Sequence, residues 1–167
     1  LVSLCLQKFL HPDNGSLREF FDADWNPVQG DEGRIVEPGH QYEWAWLLKR
    51  WGVLRGDTRA LRAAERLINI AETHGVDTDR GVAFNEIYDD FAPRDRAARI
   101  WLQTERIKAW LARADIAETP AERHACPALS LIHISEATTQ AEVSYAACCF
   151  ASRQSQLLVR LSQPLLL

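Results

Sequence analysis

The sequence predicts an all-α fold in which antiparallel helix pairs alternate with long loops. Three segments, at about residues 38–55, 58–74 and 96–114, carry apolar residues at helical spacing. The connection between the first two is short, at Gly56 and Asp57, whereas the other connections are long. Helix pairs with alternating short and long connections are typical of an α/α toroid or a solenoid, and three or four helices are too few to close a toroid.

The chain reaches its first long helix only after about 37 residues. Residues 1–10 are predicted to be the end of a helix, because the run HPDNG that follows is rich in residues that stop helices. Residues 16–36 contain many turn formers and aromatics, and we expect an extended excursion with a hairpin turn near residues 29–31. Pro38 then suits the first turn of a helix, where a missing N–H costs nothing.

The first two long helices show the clearest period. In the first, apolar residues recur at i, i+3, i+4, i+7 and i+10, which predicts a buried stripe. Gly56 and Asp57 are expected to end this helix and to cap the next one, which should end at Gly75 in the role of a C′ residue. The members of the predicted stripe are Trp44, Leu47, Leu48, Trp51 and Leu54.

A loop with a short extended piece at residues 82–87 is expected before the third helix. That helix is predicted from about Arg96 to Ala114. The residues available for its buried face are Ile100, Ile107, Trp110, Leu111 and Ala114.

Composition and charge exclude several classes of function. The 167 residues carry a net charge of −4, with 47% hydrophobic and 25% charged residues. Without a Lys/Arg cluster, no nucleic-acid partner is expected. Since no apolar run approaches the roughly 18 residues that span a bilayer, no membrane partner is expected either. The four cysteines form no metal-ligand spacing, so we expect no metal site and reduced thiols in a cytoplasmic protein.

The composition changes near Cys126. Residues 125–167 contain only four charged side chains and show neither helical period nor strand alternation. We therefore expect residues 1–124 to form the folded unit and residues 125–167 to be an atypical tail, either non-native sequence or a poorly ordered terminus. The chain also contains no methionine, so we expect it to be part of a longer protein.

The stretch EPGHQYEWAWLLKRW, residues 37–51, holds the first candidate site. His40 and Glu43 lie one turn apart and so share a helix face near its N-terminus. An imidazole is the best general base near neutral pH, and a carboxylate within a turn can hold its tautomer. The alternative is a solvated first turn in which Glu43 complements the helix dipole, and spacing alone favours that alternative. The loop carboxylates are expected to be mostly solvated turn and cap residues; they are Glu19, Asp22, Asp24, Glu86, Asp89 and Asp90.

Tryptophans in the same stretch invite a sugar-stacking role. More often such residues belong to the core, and Trp44 and Trp51 lie on the predicted apolar stripe. We expect Trp51 to be a core residue, whereas Trp46 points elsewhere and could meet a neighbouring helix.

A second stretch, IWLQTERIKAW at residues 100–110, offers an aromatic, an amide and a carboxylate. Trp101, Gln103 and Glu105 make a plausible set for binding a polyol. The alternative is an amphipathic helix with a surface pair between Glu105 and Lys108, and spacing alone favours it.

Two of these motifs together resemble the N-acylglucosamine 2-epimerase superfamily: PGHQYEWAWLL at residues 38–48 and WLQTE at residues 101–105. This superfamily includes mannose isomerases, related aldose–ketose isomerases and cellobiose 2-epimerase, which are cofactor-independent sugar enzymes on an (α/α)6 barrel. The resemblance implies a partial (α/α)6 toroid from the second half of the barrel, with no cofactor. The family's second catalytic histidine has no match in this chain, and its active-site arginine and another histidine come from the other half of the barrel. Because half of the pocket is missing, the chain alone is expected to be inactive.

The resemblance also implies site roles. His40 corresponds to a general acid/base at C1–C2 of an opened aldose, and Glu43 to the carboxylate that partners it. The residues implied at the sugar pocket are Trp101, Gln103, Glu105 and Trp44. The implied substrate of the full-length protein is a monosaccharide of the mannose, glucose or N-acylglucosamine type, and that protein could be a homo-oligomer.

The rival interpretation is a non-catalytic helical-repeat module whose helices at residues 38–55 and 58–74 bind a protein. Geometry discriminates between the two. A pocket in which His40, Glu43 and Trp101 converge favours the sugar enzyme, and a His40 that faces bulk solvent favours the binding module.

Overall fold

Three long helices organise the structure, a computed structural model that describes residues 1–115. They are α2 (Pro38–Arg55), α3 (Thr58–His74) and α4 (Ile100–Asp115). The helix α2 packs against both α3 and α4. The predicted bounds of α2 and α3 are confirmed, and the described part of the chain is mostly helical, as the sequence predicts. The predicted tail, residues 125–167, lies outside the described residues.

The N-terminal segment is a short helix, α1 (Val2–Leu4), that continues as a π-helical turn over Cys5–Phe9. It ends at Leu10, whose backbone is extended with φ −76° and ψ 132°. Leu10 then pairs with Leu17 across the following loop. The predicted helix end is therefore confirmed.

The hairpin turn lies earlier in the loop than predicted. Phe21 pairs with Pro27, so the turn spans residues 22–26 and not residues 29–31. The Asp22 carboxylate closes it, because Oδ1 accepts the N–H groups of Asp24 at 2.9 Å and of Asn26 at 2.8 Å. An Asp side chain that accepts the N–H groups two and four residues further along the chain stabilises a turn. Such a turn needs no glycine, so the presence of Gly30 does not mark its position.

The boundary between α2 and α3 follows the predicted chemistry. Gly56 adopts the left-handed conformation, with φ 64°, and Asp57 accepts the N–H groups of Arg59 and Ala60 as an N-cap. Gly75 is different, since its φ is −101°. A Cβ at Gly75 would lie 2.6 Å from Cγ of Pro38, so close approach of the two helices explains this glycine.

The buried face of α2 differs from the predicted stripe. Leu48 is fully buried, but 37% of Trp51 and 76% of Leu54 are exposed, so the prediction of Trp51 as a core residue is wrong. The helix contacts two neighbouring helices, so its buried residues lie on more than one side and include small and polar side chains as well as apolar ones. Those buried residues are Gln41, Tyr42, Ala45, Leu48, Lys49 and Gly52.

Short strands occupy the long connections. An antiparallel sheet has the order β1 (Ile35–Val36), β4 (Glu86–Tyr88), β5 (Pro93–Asp95), and β2 (Val76–Asp77) pairs with β3 (Val82–Ala83). The predicted extended piece at residues 82–87 thus falls on β3 and β4. Because β5 pairs with β4, α4 begins at Ile100 and not at Arg96.

The helix α4 buries a face that was not predicted. Leu111 is 39% exposed. The other four residues predicted for burial, Ile100, Ile107, Trp110 and Ala114, are only partly buried. The buried positions include charged and amide side chains that find partners on neighbouring elements. They are Leu102, Gln103, Glu105, Arg106 and Ala109.

A carboxylate network ties the three long helices together. Glu72 on α3 accepts hydrogen bonds from Tyr42 at 2.8 Å and from Trp110 at 2.7 Å. Arg106 donates to both of its oxygens, each at 2.8 Å. Within residues 1–115, no helix combines the length and the apolar character needed to span a bilayer.

Candidate active site

His40 lies in the first turn of α2, and a carboxylate holds its ring from one side. The His40 Nδ1 atom is 2.7 Å from Oε2 of Glu19, which lies 21 residues earlier in the chain. The side chain of His40 is 36% exposed, so the ring is neither core nor fully solvated. An ionised carboxylate can only accept a hydrogen bond, so Nδ1 carries the proton in this pair.

Glu19 is fixed at the N-terminus of α2. Its side chain is only 9% exposed, and Oε1 accepts the backbone N–H of Glu37 at 2.9 Å. Unpaired N–H groups at a helix N-terminus favour negative charge. Two residues earlier, the backbone N–H and C=O of Leu17 pair with the side-chain amide of Gln41, at 2.9 and 3.1 Å. The loop is thus attached to the helix next to the carboxylate.

The charges around His40 favour its protonated form. The hydrogen bond to Glu19 raises the pKa of His40, burial opposes the rise, and the charges of Glu37 and Glu43 add to it. Burial also raises the pKa of Glu37, whose Oε2 lies 3.8 Å from Nδ1 of His40 and 3.4 Å from Nη2 of Arg99. Imidazole, carboxylates and guanidinium therefore form one connected group.

The indole of Trp101 packs against the His40 ring. The two ring centroids are 5.1 Å apart, with an interplanar angle of 48°. Trp101 lies in the first turn of α4, and the guanidinium of Arg99 lies 5.8 Å from its ring centroid. A Cβ at Gly39 would come within 2.6 Å of Cη2 of Trp101, so glycine is required for this contact. The packing of α2 and α4 thus brings two of the predicted site residues together.

Among the described residues, the carboxylate hydrogen-bonded to His40 is that of Glu19, and no hydrogen bond joins His40 to its predicted partner, Glu43. The charge of Glu43 adds only weakly to the rise in the pKa of His40, which comes mainly from the hydrogen bond to Glu19. Side chains on a helix lean toward its N-terminus. The ring of His40 therefore extends past the end of α2, toward Glu19, and away from a carboxylate one turn further on.

Trp44 lies one turn beyond His40 on α2 and is partly buried. Its ring packs edge-on against Phe9, with the centroids 5.7 Å apart. Phe9 in turn contacts the rings of Phe21 and Trp25. Trp44 therefore joins the candidate site to an aromatic group that the N-terminal segment and the hairpin supply.

Gln103, which is predicted at the sugar pocket, hydrogen-bonds to the backbone of β3. Its Oε1 accepts the N–H of Ala83 and its Nε2 donates to the C=O of Ala83, both at 3.0 Å. A second, longer bond of Nε2 goes to the C=O of Arg99. Both donor hydrogens are thus used on the backbone, and Gln103 attaches β3 to α4.

Glu105 connects α4 to α2. Oε2 accepts the indole N–H of Trp46 at 2.9 Å, and Oε1 pairs with Lys108. Glu105 and Lys108 do pair, but Glu105 is buried, so this is not the surface pair that the alternative predicts. Trp46 meets a neighbouring helix as expected. With 8% of the residue exposed, Glu105 has little surface left for a ligand.

The sequence does not single out Glu37 and Arg99, and Glu19 is an exception to the expectation of solvated loop carboxylates, since only 9% of its side chain is exposed. Their signal is weak because each lies outside the periodic segments, in a stretch where solvated charges are common. Among residues 1–115, no group of three or more His, Cys, Asp or Glu residues is placed to hold a metal ion.

Comparison with known proteins identifies the family. The family model described as N-acylglucosamine 2-epimerase (GlcNAc 2-epimerase) matches residues 1–134. The chain belongs to the N-acylglucosamine 2-epimerase family.

Relatives within and around the N-acylglucosamine 2-epimerase family share sequence and fold with this chain. Mannose-6-phosphate isomerase of Rhizobium meliloti (strain 1021) is 47% identical over 118 residues, which are 71% of this chain and 30% of that protein. A crystal structure of D-mannose isomerase aligns with a TM-score of 0.61 and 23% identity, over 70% of this chain and 30% of that one. Cellobiose 2-epimerase from Spirochaeta thermophila DSM 6192 aligns with a TM-score of 0.67 and 16% identity, over 78% and 34% of the two chains.

These likenesses confirm the fold class predicted from the motifs. The described helices form part of an (α/α)6 toroid of the N-acylglucosamine 2-epimerase type. The chain spans about a third of the length of the relatives it matches. At under 25% identity the solved structures support the fold alone.

Proposed function

We propose that the protein carrying this chain is a cofactor-independent sugar isomerase or 2-epimerase in which His40 transfers a proton at C1–C2 of an open-chain aldose. The observation that carries the proposal is the state of the His40 ring. Nδ1 is hydrogen-bonded to Glu19, the ring lies against Trp101 at an interplanar angle of 48°, and the side chain is 36% exposed. Of the three residues in the discriminating test, His40 and Trp101 meet and His40 does not face bulk solvent, which supports the enzyme over a helical-repeat binding module.

The chemistry needs one group that both takes and returns a proton. The hydrogen on a carbon beside an aldehyde is only weakly acidic, so its removal needs a positioned base. The neutral His40 ring offers the Nε2 lone pair for this step, since Nδ1 is occupied by Glu19. Return of the proton to C1 gives a ketose, and its return to the other face of C2 gives the epimer. One histidine suffices for the first outcome, whereas the second needs groups on both faces.

The substrate class follows from the relatives and from the aromatic surface. The names of the relatives include a mannose phosphate, mannose and cellobiose, so we propose a sugar of the mannose, glucose or N-acylglucosamine type. The apolar face of a sugar ring packs on indoles, which is the role proposed for Trp101 and, one turn from His40, for Trp44. Cys5 is a buried free thiol, which is compatible with the proposed cytoplasmic location.

The first prediction tests His40 in the full-length protein. We expect His40→Ala to lower kcat for mannose, and the uptake of deuterium from heavy water into the sugar, by about 10²- to 10⁴-fold. Because the pKa of His40 is raised, the neutral base is depleted at low pH, and turnover should rise with pH through a value above that of an ordinary histidine.

The matched control is His11→Ala, since His11 is also partly buried but its Nδ1 contacts groups of its own turn, the backbone N–H groups of Asp13 and Asn14 and the exposed Asp13 carboxylate at 4.0 Å. This variant should keep the activity of the native protein. Undiminished exchange and turnover in His40→Ala would refute the proposed function.

A further inference from the structure

We propose that Glu19 is the positioning residue of His40: its buried carboxylate holds Nδ1 and so directs Nε2 toward the substrate. The inference rests on the proposed function for its meaning in catalysis, but its geometry stands by itself. It assigns to a loop residue the role that the family motif suggests for Glu43.

The carboxylate of Glu19 has two fixed contacts and little freedom to turn. Oε1 accepts the N–H of Glu37 at 2.9 Å, and Oε2 lies 2.7 Å from Nδ1 of His40. Rotation of the carboxylate toward solvent would break both bonds at once. Since only 9% of the side chain is exposed, water does not readily replace either partner.

The backbone around Glu19 is fixed independently of these contacts. Gln41 pairs with both backbone groups of Leu17, and this pairing is buried. Gln41 and His40 are neighbours on α2, and Leu17 and Glu19 are two residues apart on the loop. The same helical turn therefore sets both the position of the loop and the position of the ring it contacts.

This arrangement defines the working nitrogen. A carboxylate accepts from Nδ1–H whether the ring is neutral or cationic, so the proton that comes and goes is the one on Nε2. When Nε2 has taken a proton from the sugar, the cation lies against Glu19 and is stabilised there. Glu19 would thus select the tautomer before the step and stabilise the product of the step.

Other charges face this pair but do not replace Glu19. Glu37 is the second carboxylate, 3.8 Å from Nδ1, and Arg99 at 3.4 Å offsets its charge. Glu43 on α2 acts on His40 only through its charge, and Glu86 on β4 acts on Glu37. The indole of Trp101, from α4, is uncharged.

The experiment follows the His40 ring directly by NMR. The full-length native protein and its Glu19→Gln, Glu37→Gln and Glu43→Gln variants are labelled with ¹⁵N at histidine and titrated with pH. The chemical shifts of the His40 ring nitrogens report both its pKa and its tautomer. Glu19→Gln should lower the pKa of His40 and mix its tautomers, because the charged acceptor is lost. Glu43→Gln and Glu37→Gln should move the pKa less and keep the tautomer.

Kinetics give a second readout that a purely structural role would not change. Glu19→Gln keeps an oxygen for the N–H of Glu37, so the thermal midpoint should stay close to that of the native protein. We expect kcat to fall on the order of 100-fold or more with little change in KM, and the rise of activity with pH to move to lower pH. Glu19→Asp, which keeps the charge, should recover part of the loss.

The outcomes separate the two proposals. An unchanged tautomer and pKa in Glu19→Gln, or a larger effect of Glu43→Gln, would overturn the role of Glu19. A shifted pKa in Glu19→Gln together with full activity of His40→Ala would leave the positioning intact and refute the proposed function alone.

Discussion

At the scale of single residues, the packing of α4 against the first turn of α2 requires that Gly39 has no side chain. The indole of Trp101 and the side chain of Leu102 occupy the space that a Cβ on Gly39 would need, at 2.6 and 2.8 Å. Gly39 directly precedes His40. The glycine in the sequence PGH therefore allows α4 to approach α2 at the point where the imidazole and the indole meet.

We predict that Gly39→Ala separates Trp101 from His40. The new methyl group would push the indole outward, and in the full-length protein kcat/KM for mannose should fall at least about tenfold, because small displacements at a site are costly. Tryptophan fluorescence and steady-state kinetics measure the two effects.

The matched control is Gly56→Ala. Gly56 has a left-handed backbone with open space around it, so alanine there should cost about 1 kcal/mol of stability and leave kcat/KM unchanged. Equal losses of activity in both variants would show that the Gly39 effect is only one of stability.

The candidate site was predictable only in part from the sequence. His40 and Trp101 stand in recognisable motifs on helices, and the packing of those helices brings them together. Glu19 stands in a loop with several other carboxylates, and nothing local distinguishes it from them. Its role arises from contacts with residues 18 and 21 positions away, which no pattern within one segment records.

At the scale of helices, boundaries were easier to predict than faces. Pro38, Gly56 and Asp57 fix the ends of α2 and α3 through local backbone chemistry, which a sequence shows directly. The buried face of α2 depends on two neighbouring helices. It contains Lys49, which is 2% exposed and pairs with Glu65, so an apolar stripe could not identify it.

We predict that the network around Glu72 stabilises the packing of the three long helices. Glu72→Ala would leave Arg106 buried without its carboxylate, and the free energy of unfolding should fall by about 3 to 5 kcal/mol. Urea denaturation of the full-length protein, followed by circular dichroism, measures this change.

The double variant Glu72→Leu with Arg106→Met serves as the control. It removes both charges and fills the space, so its stability should lie above that of Glu72→Ala, although Tyr42 and Trp110 lose their acceptor in both variants. A single variant within 1 kcal/mol of the native protein would contradict the prediction, as would a double variant less stable than the single one.

At the scale of the whole molecule, the described helices leave an apolar surface on one side. The outward residues near the end of α2 and on α4 line a groove of about 830 Å³, with Arg50 and Lys108 at its edge. Exposed apolar surface of this kind usually marks an interaction or packing surface. The exposed residues are Leu47, Trp51, Val53, Leu54 and Leu111.

We predict that the 167-residue chain, expressed alone, self-associates through this surface. Leu54→Glu should shift it toward monomer in light-scattering experiments without lowering its thermal midpoint, because Leu54 is 76% exposed. Leu48→Glu on the same helix should unfold it, because Leu48 is fully buried. A Leu54→Glu chain that associates as strongly as the original would contradict the prediction.

The order of elements in the molecule was predictable, whereas the small sheets were not. A helical periodicity that is sustained over more than ten residues identifies α2 and α3. Strands of two or three residues, such as β2 and β5, are too short to carry a recognisable pattern. Their pairing depends on where the helices bring the loops.

The side-chain amides of Gln41 and Gln103 each bond to both the backbone N–H and the C=O of one residue, Leu17 and Ala83 respectively, as a neighbouring strand would. Neither amide ionises, so acid, alkali or added salt should leave these attachments almost unaffected. The contacts of the loop with α2 that involve ionisable groups are those of Glu19, with the backbone N–H of Glu37 and with the imidazole of His40. Because the attachments made by Gln41 and Gln103 depend little on pH or salt, they can keep the position of the His40 ring constant while the pH and the ionic strength of the solution change.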